Sequence, residues 1–482
     1  MVKLAILMFV TSLPLMAAAA PAPSDWSSAA TEDLTAIHDI IRDNHPGPVD
    51  PANPAFNAWL NRGERQLMPQ ARHAASEHDY QLVLRDYANG FADGHLNIAM
   101  TDTESHLWPG FLVRADRLNA PVRVSVLAGP SLAPPGLAVG DEVLACGGIP
   151  VSQMLEDRVL RPLLNRNVPQ RLMLKSAWLM VADSDDSFAQ TPSCVFEIGG
   201  KPKKIALKWQ SIDAATLAQN LQESGGIEIP SIGVRKIDNV WLISLPTFDP
   251  QNGQIAKMQK LITYVQTHAA ILYQARHVVI DLRGNDGGSD DWGDSVLSAL
   301  WSEEAIHDID TSVSMMVDWR VSKRNMAALR TNANTAKTEG QSDVAAYYIN
   351  LADRMDQASL RHQVFMLETY PAATQLPELK SPFAHPVYVL TTPYCASACL
   401  DIIDESNELP GTVRVGMETS SDTDYLDTAS AALPSGHAVL HYAMKVIRGR
   451  PRPANASYKP QLAWRGGEMS DAAIVRWIET LP

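Results

Sequence analysis

The sequence predicts a multidomain α/β protein, and three observations predict it. The chain has 482 residues, which at roughly 100–200 residues per domain makes room for two to four domains. Its patterning changes along the chain: a helical block comes first, short β-like segments follow, and from Ile232 strands alternate with helices. That alternation marks a mostly parallel, layered sheet. Apolar residues at 46% and charged residues at 20% match ordinary globular usage, so a disordered or collagen-like chain is excluded.

The elements follow in order. Lys3, the apolar run Leu4 to Met16 and the small residues Ala17-Ala18-Ala19 read as a secretory signal peptide over residues 1–19. The run is short for a membrane span, and no later stretch reaches ~18 apolar residues, so no transmembrane segment is expected after cleavage. The expected location is therefore periplasmic or secreted. Residues 29–101 form a helical N-terminal region. Its first helix is broken by His45-Pro46-Gly47-Pro48, and Asn53 to Leu60 and Asp79 to Phe91 follow with apolar residues at helical spacing. The region ends in the loop Ala92-Asp93-Gly94-His95 and a short strand, Leu96 to Met100.

Residues 108–212 read as a β module, with segments such as Val122–Leu127, Cys194–Ile198 and Lys204–Lys208. Between them, Gly136 to Gly148 reads as turn, strand, turn, and Pro150 to Leu160 as a helix. Residues 232–482 read as the alternating α/β unit, with a polar helical insertion near 322–365. Its strands include Val240–Leu245, Val278–Leu282, Val387–Thr391, Val413–Gly416 and Ala438–Ile447.

Charge and cysteines narrow the function. Lys and Arg number 40 against 54 Asp and Glu, a net charge of −14, and an acidic surface repels phosphate backbones, so no nucleic-acid partner is expected. Cys146, Cys194, Cys395 and Cys399 contain no CxxC pair, so no zinc ribbon is expected. Export permits disulfides. Cys146 ends one strand and Cys194 begins another, which suggests that they pair. Cys395 and Cys399 are expected to be free, because a link between residues four apart would strain the turn around Ser397. Four unpaired cysteines are the alternative.

Two strand-to-loop-to-helix junctions stand where open α/β sheets place ligands. The first, Val278 to Gly288, has neither GxGxxG nor the GK[ST] ending of a P-loop, and alone it reads as a glycine turn. The second puts Ser397 between Ala396 and Ala398 at the start of a helix. Small neighbours suit a nucleophile on a sharp turn, but serine is equally at home as a helix cap. His95 is a candidate base. His437 and His441 are four apart without HExxH, and no metal site is expected.

Together, Asp93-Gly94-His95, Gly136-Leu137…Gly140-Asp141-Glu142-Val143-Leu144, Val278 to Gly288 and Val389-Leu390-Thr391…Ala396-Ser397-Ala398 resemble the tail-specific (carboxyl-terminal processing) serine protease family. The marks occur in the family's order, and Asp281-Leu282-Arg283-Gly284-Asn285-Asp286-Gly287-Gly288 is the most specific of them. The resemblance implies a helical N-terminal region, a PDZ-like module over 108–212 and a ClpP/crotonase-like catalytic core over 232–482. It maps the nucleophile onto Ser397. The lysine-using branch of the family needs a lysine where Asp422 stands, so the chain resembles the histidine-using, tricorn-like branch, with His95 as base. Gly94 replaces the serine that tricorn carries just before its histidine. No glutamate matches the residue that orients the histidine in that branch. Asn455 and Asp422 are the candidates for that role, and Glu418 is a further fallback. The backbone N–H groups of Ala398 and of Gly287 or Gly288 would hold an oxyanion.

The function implied is an exported serine endopeptidase acting on unfolded or C-terminal protein segments, with protein or peptide as partner and no cofactor. Two alternatives stay open. One is a non-catalytic peptide- or lipid-binding protein on the same fold, since the family has retinoid-binding relatives. The other is a cysteine hydrolase using Cys395 or Cys399.

Overall fold

The computed structural model describes residues 25–482, apart from 102–105, 118, 161–168, 184–185, 252, 339–340 and 374–377. The signal peptide expected over 1–19 lies outside the described residues. No helix among them is long and apolar enough to cross a membrane.

Helices Trp26–Asn44, Pro54–Ala71 and Glu77–Asn89 open the chain. The side chains of Asp25, Asn53 and Ser76 cap their first turns by accepting backbone N–H bonds. Their apolar faces, including Leu34, Ile41, Leu60 and Leu84, share one core with Leu440, Tyr442 and Met444. These three residues lie on the long strand Ala438–Arg448, so the N-terminal helices sit on the C-terminal half of the chain.

That strand organises an antiparallel sheet. Asn97–Met100 pairs with its start and Met315–Arg320 with its end, Phe365–Tyr370 lies beyond the latter, and Tyr425–Ala432 also pairs with it. Ala438–Ile447, expected among the strands of the mostly parallel, layered sheet, belongs instead to this antiparallel one. The insertion near 322–365 holds helices Lys323–Thr338 and Ser342–Leu360, and the strands flanking it, which the sequence reading passed over, knit it into the antiparallel sheet.

The second large sheet carries the expected parallel pattern. Its order is Gly233–Ile237, Val240–Ser244, His277–Asp281, Val387–Thr391, Thr412–Gly416 and Leu462–Ala463. Only the first pairing is antiparallel. Both faces are covered, which is why these strands read as continuous apolar runs. Val278, Ile280, Val387 and Val389 pack with residues of helices Gln254–Tyr273, Asp291–Leu300 and Ala398–Glu408. Val279, Tyr388 and Leu390 pack with Ile474, Val475 and Ile478 of the last helix, Asp471–Ile478.

Between these parts, Phe111–Arg114, Arg123–Leu127, Glu142–Cys146, Ser193–Ile198 and Lys201–Ala206 form an antiparallel sheet. Cys146 and Cys194 are register partners and are joined by a disulfide. Cys395 and Cys399 are joined as well, which corrects the expectation that both are free thiols. The backbone turn between them brings their Cα atoms to 5.3 Å, inside the range a disulfide accepts, so a four-residue spacing does not keep them apart.

Candidate active site

Three loops meet beyond the carboxyl ends of the neighbouring strands His277–Asp281, Val387–Thr391 and Thr412–Gly416. The middle loop presents Ser397. Its backbone has φ 54° and ψ −132°, in the left-handed half of the map that a residue with a Cβ rarely visits, and Ala398 then starts the helix Ala398–Glu408. The turn is held by Cys399 N–H donating to the Ala396 carbonyl (3.1 Å) and Leu400 N–H to the Ser397 carbonyl (2.7 Å). Ala398, Cys395 and Cys399 are fully buried, while Ser397 keeps 7% exposure. Because both sulfurs are consumed in the disulfide, neither can act as a thiolate, and the cysteine-hydrolase alternative has no nucleophile in this state.

The first loop packs its glycines against that turn. A Cβ on Gly287 would lie 2.7 Å from the Ser397 Cβ, and one on Gly288 would run into the Phe248 carbonyl oxygen. Both residues also have positive φ, 107° and 126°, so glycine is required twice over. Asn285 braces the loop: its amide donates to the Leu245 carbonyl (2.8 Å), and its oxygen accepts from Gly287 N–H (3.0 Å). The Gly287 N–H is thus engaged. No hydrogen bond among the described residues takes up the Gly288 N–H. Arg283 is fully buried and pairs with Asp281 (2.7 Å) and Asp471 (2.5 Å), tying the loop to the last helix.

The third loop, Met417 to Asp424, joins the other two. Ser420 N–H donates to the Cys395 carbonyl (3.0 Å), anchoring it to the Ser397 turn. Two residues on, Asp422 Oδ1 stands 3.4 Å from His95 Nδ1, with both side chains nearly buried. Thr423 N–H donates to the same oxygen (2.8 Å), and Arg450 and Arg452 lie 3.7 and 4.0 Å from Oδ2. Of the residues named from the sequence as partners of the histidine, Asp422 is the one placed against its ring. Asn455 instead braces backbone: its amide donates to the Ala92 carbonyl (3.2 Å), and its N–H to the Asp422 carbonyl (2.5 Å). Glu418 accepts from the Ser457 hydroxyl (2.6 Å).

Asp93, His45 and Thr423 fix the His95 loop, and the sequence reading assigned none of them a role. Asp93 Oδ1 accepts from His95 N–H and from the Thr423 hydroxyl, both at 2.9 Å, and Oδ2 pairs with His45 Nε2 at 2.9 Å. Gly47 N–H donates to His45 Nδ1 (2.9 Å), so Nε2 carries the proton that Asp93 accepts. Burial pushes the Asp93 carboxyl up, but the hydrogen bonds it accepts, first from the His45 ring and then from the His95 N–H, outweigh it and hold it below the ordinary range. Asp93 and Thr423 thereby clamp the His95 loop to the Asp422 loop. His95 Nδ1 thus faces two carboxylates, Asp422 at 3.4 Å and Asp93 at 3.9 Å, without a hydrogen bond to either. Lys445, on strand Ala438–Arg448, is buried against Asp427 (2.9 Å) and over the Trp319 ring.

Residues 239–439 match the sequence model of Peptidase family S41. The matched stretch contains Gly287, Gly288, Ser397, Ala398 and Asp422, and leaves His95 and Asn455 outside it. No curated protein matches the chain by sequence. Among solved structures, mature CPAF in complex with lactacystin is similar at a TM-score of 0.60 and 14% identity, over 91% of this chain and 94% of that one. Mature CPAF alone gives 0.60 and 13%, over 95% and 96%. At these identities the likeness is one of fold. A photosystem II D1 C-terminal processing protease is more distant, at a TM-score of 0.35 and 12% identity, over 92% and 98%.

Proposed function

We propose that this chain, whose residues 239–439 match the Peptidase family S41 model, is an exported serine-type endopeptidase that cleaves unfolded or C-terminal protein segments through a Ser397–His95 acyl-enzyme mechanism. The supporting observation is the joining of three loops: Asp422 faces His95 Nδ1 at 3.4 Å, and the same loop is hydrogen-bonded to the Ser397 turn.

In this reading His95 Nε2 takes the Ser397 proton as Oγ attacks the scissile carbonyl. The tetrahedral oxyanion is held by the N–H groups of Ala398 and Gly288, the engaged Gly287 N–H being the lesser candidate. Losing one such donor typically costs about 2.7–4 kcal/mol of transition-state stabilisation. The imidazolium passes its proton to the leaving amine, and water, deprotonated by the same nitrogen, releases the acyl group and regenerates Ser397. Asp422 orients the ring and stabilises its cationic form, with Asp93, His45 and Thr423 as positioning residues. The antiparallel module within 108–212 serves as a PDZ-like unit that adds an extended peptide to a sheet edge. Two disulfides and the expected signal peptide suit an oxidising compartment.

The test is casein hydrolysis by the purified chain and by Ser397→Ala. The wild type is expected to cleave and the variant to lose all activity while unfolding at the same temperature. A folded variant with full activity removes Ser397 as nucleophile, and an inert wild type favours the binding-protein alternative.

A further inference from the structure

The two disulfides differ in what they can stabilise. A cross-link that constrains the unfolded chain gains with the length of the loop it closes. Cys146–Cys194 spans a separation of 48 residues and Cys395–Cys399 one of 4, so the second is the poorer staple for the fold as a whole. It encloses a single turn instead, with Ser397 at the middle of it.

That turn is one the chain does not adopt by preference. Ser397 is held at φ 54° and ψ −132°, a costly conformation that persists only where the surroundings over-determine it. Its side chain does not cap the helix that follows. One backbone hydrogen bond spans the serine, from Cys399 N–H to the Ala396 carbonyl (3.1 Å), and the link lies just outside it. The link keeps the Cys395 and Cys399 Cα atoms 5.3 Å apart, where an extended chain of that length would reach roughly 13–14 Å. It also joins two anchors. Cys395 is tied to the Asp422 loop through the Ser420 N–H (3.0 Å), and Cys399 lies in the first turn of helix Ala398–Glu408. Gly287 packs on the same turn: a Cβ there would lie 2.7 Å from the Ser397 Cβ and 3.2 Å from the Ala398 nitrogen. Opening the turn would therefore displace the serine and the Ala398 N–H together. Both cysteines are fully buried, and what their sulfurs add to the packing of a small side chain is the link.

We propose that Cys395 and Cys399 are positioning residues for the peptidase reaction, and that their link must be oxidised for Ser397 Oγ and the Ala398 N–H to hold their places. The inference rests on Ser397 being the nucleophile. An oxidising compartment then switches the enzyme on, and a reducing one leaves it slow. In the reductive direction a dithiol supplies two electrons. One of its sulfurs attacks the link, its second sulfur closes the reagent's own ring, and the Sγ–Sγ bond breaks to leave two cysteine thiols that carry the dithiol's two protons. A misplacement of about 1 Å can cost ~10²-fold in rate, so a loss of at least tenfold is expected.

The test compares the oxidised wild type, the wild type equilibrated with dithiothreitol, and Cys395→Ala/Cys399→Ala, with thiol state read by alkylation and mass spectrometry and folding by thermal melts. The reduced protein and the double variant are expected to label Ser397 with a fluorophosphonate at least tenfold more slowly than the oxidised wild type. Both are expected to cleave a fluorescence-quenched peptide with kcat down by at least tenfold and KM within threefold. Oxidised glutathione should restore the reduced wild type, and dithiothreitol should not slow the double variant further. If the buried link resists dithiothreitol, the variant gives the reading. The proposal is overturned if either folded form labels less than tenfold more slowly, if the loss lies in KM, if dithiothreitol slows the double variant as much as the wild type, or if both forms unfold, which would make the link structural. An oxidised wild type that takes no label on Ser397 overturns the nucleophile reading and the inference with it, whereas an active enzyme indifferent to the link overturns the inference alone.

Discussion

Replacing Asp422 by asparagine keeps the size of the side chain and an oxygen for Thr423 N–H, and removes only the charge that faces His95. A full charge pair at 3.4 Å in an effective dielectric of about 20 is worth about 5 kcal/mol. That stabilisation exists only when the imidazole is cationic, as it becomes while the serine proton is on it, so it lowers the barrier and not the energy of the resting state. Arg450 at 3.7 Å and Arg452 at 4.0 Å from the other carboxylate oxygen oppose the imidazolium and offset part of it. If about half survives, kcat falls roughly 10²-fold, less than the ~10⁴-fold loss seen when the aspartate of a Ser-His-Asp triad becomes asparagine. KM should stay within about threefold, because Asp422 is buried behind the histidine. The assay is steady-state cleavage of a fluorescence-quenched peptide, with thermal unfolding as a control on the fold. A folded Asp422→Asn enzyme with kcat within threefold of wild type would refute the reasoning and return the orienting role to another residue.

Three further outcomes follow from the packing. Gly288→Ala puts a Cβ into the Phe248 carbonyl at a φ of 126°, so the urea midpoint should fall by the equivalent of at least ~2 kcal/mol, and an unchanged midpoint would contradict the close approach. Lys445→Ala leaves Asp427 buried without its partner. Breaking such a pair costs about 3–5 kcal/mol, so the melting temperature should drop sharply; an unshifted melt would count against the pair. The depressed Asp93 carboxyl contributes stability that is complete above the unfolded carboxyl value of about 3.9 and is lost as pH falls through the lower folded value. Asp93→Asn should therefore be less stable than wild type at pH 7, with the gap closing as pH falls below about 4. A gap that stays constant into acid would show that the charge is not the source.

How much of this is legible in the sequence depends on how local the cause is. The parallel strands show because burial on both faces makes each a continuous apolar run. Ser397 shows because a sharp turn needs small neighbours, and the glycines after Asn285 because backbone and turn leave no room for a Cβ. Met315–Arg320 and Phe365–Tyr370 do not show. Their polarity does not follow their faces, since Met316 and Leu367 are exposed while Glu368 is buried, and only their long-range pairing makes them strands. The clamp around His95 is hidden for the same reason: His45 lies 48 residues from Asp93, and Thr423 lies 330 away. His45 reads only as part of a helix break, and nothing local reports where its ring points. Asp422 carries one usable signal, an acidic residue in the loop after a parallel strand, at the position where a lysine would define the other branch. The Cys395–Cys399 link escapes a spacing argument because the path of the turn sets the distance between them.

The central claim is that Ser397 is a nucleophile activated by His95, and covalent labelling tests it most directly. The mature protein would be treated with a fluorophosphonate, digested and mapped by mass spectrometry, alongside His95→Ala and Ser397→Ala. The account predicts a single adduct on Ser397 that forms at least a hundredfold more slowly in His95→Ala, in line with the ~10²–10⁴-fold contribution of a general base, and not at all in Ser397→Ala. Labelling of another residue, labelling of Ser397 at the same rate without His95, or no adduct on the folded wild type would contradict it.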